Sequence, residues 1–227
     1  MGFIEQKLER GIVSFSLDEL IVETGLSVVA ARNQLLRLAG KVVRVTPRQQ
    51  YFLIVRPDHR VFGAPPIEWW LGDYFNWLGR PYYIALQSAA TVFGSSQQAI
   101  QETQVITDVS RRNITVGRIR IRFFMKSGIN RAITQQLSNA HSPLLVSTPE
   151  TTIFDLVRYA HNIGGIERTA ETIAPMLGAI KARRLTQVLD EESDIATAQR
   201  VGFVLEEIGA AILAKAVHKW VSAKSSS

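Results

Sequence analysis

The chain has 227 residues, 46% hydrophobic and 20% charged, with a formal net charge of +6 and no cysteine. Such a composition supplies a core, excludes disulfides and cysteine-ligated zinc, and suits an anionic partner. Charges in the opening MGFIEQKLERG stand where a signal peptide needs an apolar run, and no uncharged apolar stretch approaches the roughly 18 residues of a spanning helix; the expectation is a soluble cytoplasmic protein without membrane contact.

In chain order, residues 2–10 read as a short helix with Phe3, Ile4 and Leu8 on one face. Ser16 with Glu19 forms the S-x-x-E pattern of a capping box, so a helix starts at Leu17 with Leu20 and Ile21 on its apolar side. Gly25 ends it as a left-handed cap. Ser27 caps the next helix, Val28 to Ala39, whose Ala31, Leu35 and Leu38 face the first. Two extended runs follow, Val42 to Val45 and Tyr51 to Val55, joined by a polar turn containing Pro47. Two helices and a hairpin in this order are the pattern of a winged helix-turn-helix.

The proline-rich stretch Arg56 to Pro66 marks a domain boundary, giving residues 1–60 as the winged unit and 67–222 as a larger mixed α/β domain. The expected class is α+β, with the second domain ending in helices. Ile67 to Leu78 is rich in rings, suited to core or interdomain packing more than to stacking on bases. A small-residue helix is expected over Ile84 to Phe93, strands at Gln104 to Thr107, within Ile114 to Lys126 and at Leu144 to Val146, and a helix from Pro149 to Tyr159. Either Ser147 with Glu150, or Thr148 with Pro149, starts that helix. Asp155 is expected to be partly buried against an arginine. The remainder reads as helices over Ile166 to Leu177, Lys181 to Leu189 and Thr197 to Ser222, with Asp190 to Asp194 a solvated acidic loop carrying a cap and Ala223 to Ser227 frayed.

The outward residues of the second turn helix form a usable major-groove surface. Arg32 and Arg37 can donate paired bonds to guanine, Asn33 can pair with adenine, and Val29 can meet a thymine methyl. Ser27 lies at the helix N-terminus, where backbone N–H groups suit a phosphate, and Arg44 and Arg48 belong to the wing. Winged helices also serve as protein-interaction modules, and solvated arginines are common on helices. A second basic feature is Arg118, Arg120 and Arg122, which strict alternation places on one face of a strand that could meet DNA, RNA or a protein. His59, His141, His161 and His218 are dispersed without metal-ligand spacing, and no phosphate-loop, dinucleotide or serine-elbow motif occurs. No catalytic residue, metal or cofactor is therefore assigned.

Three segments, Tyr82-Tyr83-Ile84-Ala85-Leu86-Gln87-Ser88-Ala89, Ser147-Thr148-Pro149-Glu150-Thr151-Thr152-Ile153-Phe154-Asp155-Leu156 and Arg200-Val201-Gly202-Phe203-Val204-Leu205-Glu206, together resemble AbiEi-type antitoxins in order and spacing. These are the regulator halves of type IV toxin–antitoxin and phage abortive-infection systems. The resemblance implies a winged helix-turn-helix that binds inverted repeats in its own promoter and represses its operon. It also implies an α/β domain that counters a cognate nucleotidyltransferase toxin functionally, without a stable complex, and a protein that is not an enzyme. Val28-Val29-Ala30 departs from the pattern in being less polar than a recognition helix is expected to be. The alternative is a stand-alone winged-helix regulator whose C-terminal domain binds a ligand or protein.

Overall fold

The structure is a computed structural model that describes residues 2–95, 102–137 and 143–225. Helix α1 (Phe3–Glu9), strand β1 (Ser14–Ser16), helices α2 (Leu17–Thr24) and α3 (Val28–Arg37) and strands β2 (Val42–Arg44) and β3 (Tyr51–Ile54) make the N-terminal unit. The capping box forms as the spacing requires: Ser16 Oγ accepts from the Glu19 N–H at 3.1 Å and Glu19 returns a bond to the Ser16 N–H. Gly25 closes α2 in the left-handed region at φ 69°. Replacing Ser16 with alanine should cost about 1 kcal/mol, read as a fall of about 2–4 °C in melting temperature.

Strand β1 carries no alternation signal in the sequence. It is a strand because β3 has an edge to pair with, in the antiparallel register Ser14↔Leu53, Phe15↔Phe52 and Ser16↔Tyr51, with β2 on the other side of β3. This central position explains why Tyr51-Phe52-Leu53-Ile54 is apolar at every residue. Phe52 and Ile54 join Phe15, Leu17, Leu20 and Ala31 in a core under the helices. Tyr51 and Leu53 join Val13 and Val45 on the opposite face. Lys7, only 1% exposed, ties α1 to α2 by ion pairs to Glu19 and Glu23.

That opposite face packs on helix α4 (Leu71–Leu78), reached through a 3-10 turn at Ile67–Trp69. Trp70, Tyr74 and Phe75 are buried there, and the Tyr51 ring lies 5.4 Å from Tyr74 and 5.0 Å from Trp77. The same core continues onto a six-stranded sheet, so α4 is sandwiched between two sheets and its rings pack against both.

The larger unit comprises β4 (Tyr82–Ile84), α5 (Leu86–Val92), β5 (Thr103–Thr107), β6 (Ile114–Val116), β7 (Ile119–Met125), β8 (Thr134–Leu137), β9 (Leu144–Ser147), α6 (Pro149–Arg158), α7 (Gly165–Ile173), α8 (Ala182–Glu192), α9 (Ile195–Glu207) and α10 (Ala211–Ser225). The strand order is β6-β7-β5-β4-β9-β8, with β5–β7 and β4–β9 parallel and the other pairs antiparallel. One sheet face meets α4; the other carries Tyr83, Ile106 and Phe124 into a core built with α5 to α10. The class is mixed α+β.

Several boundaries differ from expectation. Ile84 pairs in β4 with Val105 and Val146, so the helix after it begins at Leu86. Thr148, not Ser147, caps α6, accepting from the Thr151 N–H at 3.3 Å with Pro149 in the first turn. The expected helix from Thr197 to Ser222 is two helices, because Gly209 turns at φ 75° and the Ala210 N–H returns to the Leu205 carbonyl at 2.8 Å. The acidic run is not a solvated loop: Glu192 is the buried last residue of α8, while Asp194 caps α9 through the Thr197 N–H. Helix α10 continues through Ser225, and Ser226 and Ser227 lie outside the described residues.

Candidate nucleic-acid interface

Ala31 points into the core and Leu35 is half-buried beside it, which turns Val28, Val29, Arg32, Asn33, Leu36 and Arg37 outward along α3. The spacing is that of one helical stripe. Val29 is 68% and Leu36 75% exposed, so both are open to a partner on this side of the helix. Leu36, not among the residues expected at this surface, lies one turn beyond Arg32 and Asn33, a spacing visible in the sequence. Ala30 is half-buried, and Ser27 uses its hydroxyl to cap the helix through the Ala30 N–H at 3.2 Å. The Val28 and Val29 amides at that first turn have no intrahelical acceptor, as in any helix start.

In the β2–β3 hairpin the two arginines differ. Arg44 donates to the Pro47 carbonyl at 3.1 Å and lies over the Phe52 ring, so it braces the turn. Arg48 is at the exposed tip. The turn is fixed to the body: Tyr74 Oη donates to Gln49 Oε1 at 2.5 Å, and Arg111 donates to Tyr74 Oη at 3.1 Å. Burial pushes the Tyr74 hydroxyl above its ordinary range against the pull of Arg111, so it remains a neutral donor.

The three-arginine strand face is not present as expected. Arg118 lies in the β6–β7 turn, and its N–H donates to the Phe62 carbonyl at 2.7 Å. Arg120 is exposed, but Arg122 pairs with Glu102 at 3.4 Å, donates to the Asn162 carbonyl and covers Phe124. The alternation that places Arg120 and Arg122 together also carries Phe124 and Lys126 along the same side, and the last two are buried. The face therefore runs from solvent into the core, because helices cover only one end of the strand.

Lys126 anchors a buried charge network. It pairs with Asp155 at 2.8 Å and with Glu192, and Tyr83 Oη donates to Asp155 at 2.7 Å. Arg158 reaches Glu192 at 2.9 Å and Asp194 at 3.2 Å. The partner of Asp155 is thus Lys126 rather than an arginine. Burial pushes the Asp155 carboxyl up against the pull of Lys126, and pushes the Tyr83 hydroxyl well up. Asp194 differs: burial raises it, but bonds from Thr197 and Arg158 together hold it below the ordinary carboxylate range. The network joins β7, α6, α8 and α9. With its charges closed on one another, it holds the sheet to the helices.

Among the described residues no group of three or more histidine, aspartate or glutamate side chains is placed to hold a metal ion; His141 lies outside them. Nor is any described helix long and apolar enough to cross a membrane.

The fold can be set beside known structures. The RV2827C protein from Mycobacterium tuberculosis, known from a crystal structure, superposes with a TM-score of 0.63 at 14% identity, over 96% of this chain and 79% of that one. The fold is therefore shared across both units. An antigenic nucleotidyltransferase-like protein from Paracoccidioides brasiliensis aligns at a TM-score of 0.38 and 8% identity, over 65% of this chain and 88% of that one, too loosely to support an argument. No curated protein sequence matches significantly. The family model described as AbiEi antitoxin C-terminal domain matches residues 83–207, more than half of the chain and nearly all of the six-stranded sheet with α5 to α9. The chain belongs to the AbiEi antitoxin family.

Proposed function

We propose that the protein is the antitoxin of a type IV toxin–antitoxin pair and a DNA-binding repressor of its own operon, acting in the cytoplasm. Residues 1–60 are the DNA reader, a winged helix-turn-helix in which α2 and α3 are the helix pair and β2–β3 the wing. Residues 67–222 are the antitoxin body. The observation that carries the DNA reading is the outward stripe of α3, where Arg32, Asn33 and Arg37 stand exposed between Val29 and Leu36 on a helix whose other side is fixed in a core. Arg32 and Asn33 can read base edges, Val29 and Leu36 can meet thymine methyls, and the first-turn amides beside Ser27 and the arginine at position 48 can hold phosphates. The target is an inverted repeat in the promoter. The body carries no catalytic role and counters a nucleotidyltransferase toxin without a lasting complex.

Arg32→Ala or Asn33→Ala should reduce the preference for the promoter over a shuffled duplex by about 1–3 kcal/mol, while Arg48→Ala weakens both duplexes alike. Competition binding checks this; equal loss on both duplexes for all three variants would remove α3 as the reading element. The antitoxin assignment is checked by whether an adjacent gene encodes a nucleotidyltransferase and whether co-expression of this chain restores growth against it; no such gene, or no rescue, would count against the assignment.

A further inference from the structure

The wing turn, residues 45–50, is tied in two directions. Within its own unit Arg44 donates to the Pro47 carbonyl at 3.1 Å, and the Leu17 N–H donates to the Gln50 carbonyl at 2.9 Å. Toward the body, Gln49 Oε1 accepts from Thr46 Oγ1 at 2.9 Å and from Tyr74 Oη on α4 at 2.5 Å. Tyr74 is fully buried with its ring among Tyr51, Trp70, Phe75 and Trp77, so its hydroxyl points in a fixed direction. That hydroxyl has one proton and gives it to Gln49. Its acceptor side takes a bond from Arg111, which is itself held over the rings of Tyr74, Phe75 and Phe123. Arg48, beside Gln49, is exposed at the tip.

We propose that the C-terminal body sets the position of the wing, with Tyr74 as the positioning residue. Its bond to Gln49 holds Arg48 at a fixed offset from α3, so that the phosphate contact of the wing and the base contacts of α3 fall in register on one duplex. The inference rests on the DNA-binding reading and adds to it a reason for the two units to share a core. Packing of Val45 and Tyr51 on α4 fixes the base of the hairpin, and the Tyr74 hydroxyl extends that hold into the turn. An arginine on a mobile turn still reaches a phosphate, but binding must then supply the cost of ordering the turn. A turn ordered beforehand by the body removes that cost. Burial keeps Tyr74 itself away from nucleic acid, so it acts through Gln49.

Two measurements on the full chain test this. The chain has no cysteine, so Arg48→Cys carries a single nitroxide label at the wing tip. Its spectrum without DNA should show restricted motion, and Tyr74→Phe should free it, because phenylalanine keeps the ring packing and deletes the bond to Gln49. Tyr83→Phe, which removes a buried hydroxyl from the network at Asp155, is the control and should leave the label restricted; circular dichroism confirms that each variant is folded. In the unlabelled chain, Tyr74→Phe should lower affinity for the promoter and a shuffled duplex alike by about three- to tenfold, the worth of one hydrogen bond. The slope of log affinity against log salt should not change, since no cation is lost. Arg48→Ala should lower that slope by about 1, and adding Tyr74→Phe to it should weaken binding by less than about twofold more. A label equally restricted in Tyr74→Phe, or losses from Tyr74→Phe and Arg48→Ala that multiply, would overturn the proposal. No binding of either duplex by the unsubstituted chain would overturn the DNA-binding reading, while the label still decides whether Tyr74 holds the wing.

Discussion

Lys126→Met is expected to destabilise the protein by about 3–5 kcal/mol at neutral pH, a fall of about 6–20 °C in melting temperature for a chain of this size. The lysine is 1% exposed and its ammonium lies against Asp155 and Glu192, both buried. Methionine fills the volume but leaves two carboxylates in the interior, with Arg158 reaching only Glu192 of the two. The pH dependence follows from the sign of the carboxyl shift. Burial already pushes Asp155 up, and loss of Lys126 removes the main opposing influence. The folded variant then binds protons more readily than the unfolded chain, so its stability rises as pH falls. The deficit against wild type should be largest near pH 7.5 and shrink toward pH 5. A deficit below about 1 kcal/mol, or one independent of pH, would mean that the network contributes little to holding the sheet to the helices.

Gly117→Ala is expected to cost about 2–4 kcal/mol. Gly117 turns β6 into β7 at φ 57°, and the segment after β3 passes directly over it at Phe62 and Gly63. A Cβ there would lie 2.2 Å from the Phe62 carbonyl oxygen and 2.7 Å from the Gly63 carbonyl carbon, both backbone atoms that cannot swing aside. Relief requires the linker to lift, which also breaks the 2.7 Å bond from the Arg118 N–H to Phe62. Gly79→Ala separates the two contributions, because Gly79 has φ 60° but open space where a Cβ would stand. It should lose only the conformational part, about 1 kcal/mol. Equal losses in the two variants, measured by urea unfolding, would show that the close approach at Gly117 does not matter.

Local signals carried the N-terminal unit. The capping box at Ser16, the glycine cap at Gly25 and the cap at Ser27 all depend on groups a few residues apart, so they mark where α2 and α3 begin and where α2 ends, while packing on Phe15 and Phe52 keeps such short helices folded. Strand β1 was hidden because Ser14-Phe15-Ser16 becomes a strand only through pairing with residues some forty positions later. Of the alternating arginines before Lys126 only Arg120 and Arg122 lie on β7, Arg118 falling in the turn before it, and alternation cannot tell which end of a strand a helix covers. Phe124 and Lys126 are buried by helices that follow in the chain. The partner of Asp155 was equally out of reach, since Lys126, Asp155 and Glu192 meet only once β7, α6 and α8 are assembled. Gly209, by contrast, is a local helix-stop signal inside the stretch expected as one helix, Thr197 to Ser222.

Of the proposed DNA-reading residues, the outward set on α3 followed from its core face: placing Ala31 inward leaves Arg32, Asn33 and Arg37 outside.

The most direct measurement is the affinity of the intact protein for its own promoter fragment against a shuffled fragment of equal length and composition, at several salt concentrations. A DNA-binding repressor should show a steep fall of log affinity with log salt on both fragments, and a preference for the promoter that persists as salt rises and is reduced by Arg32→Ala. Equal affinity for the two fragments at every salt concentration would contradict it.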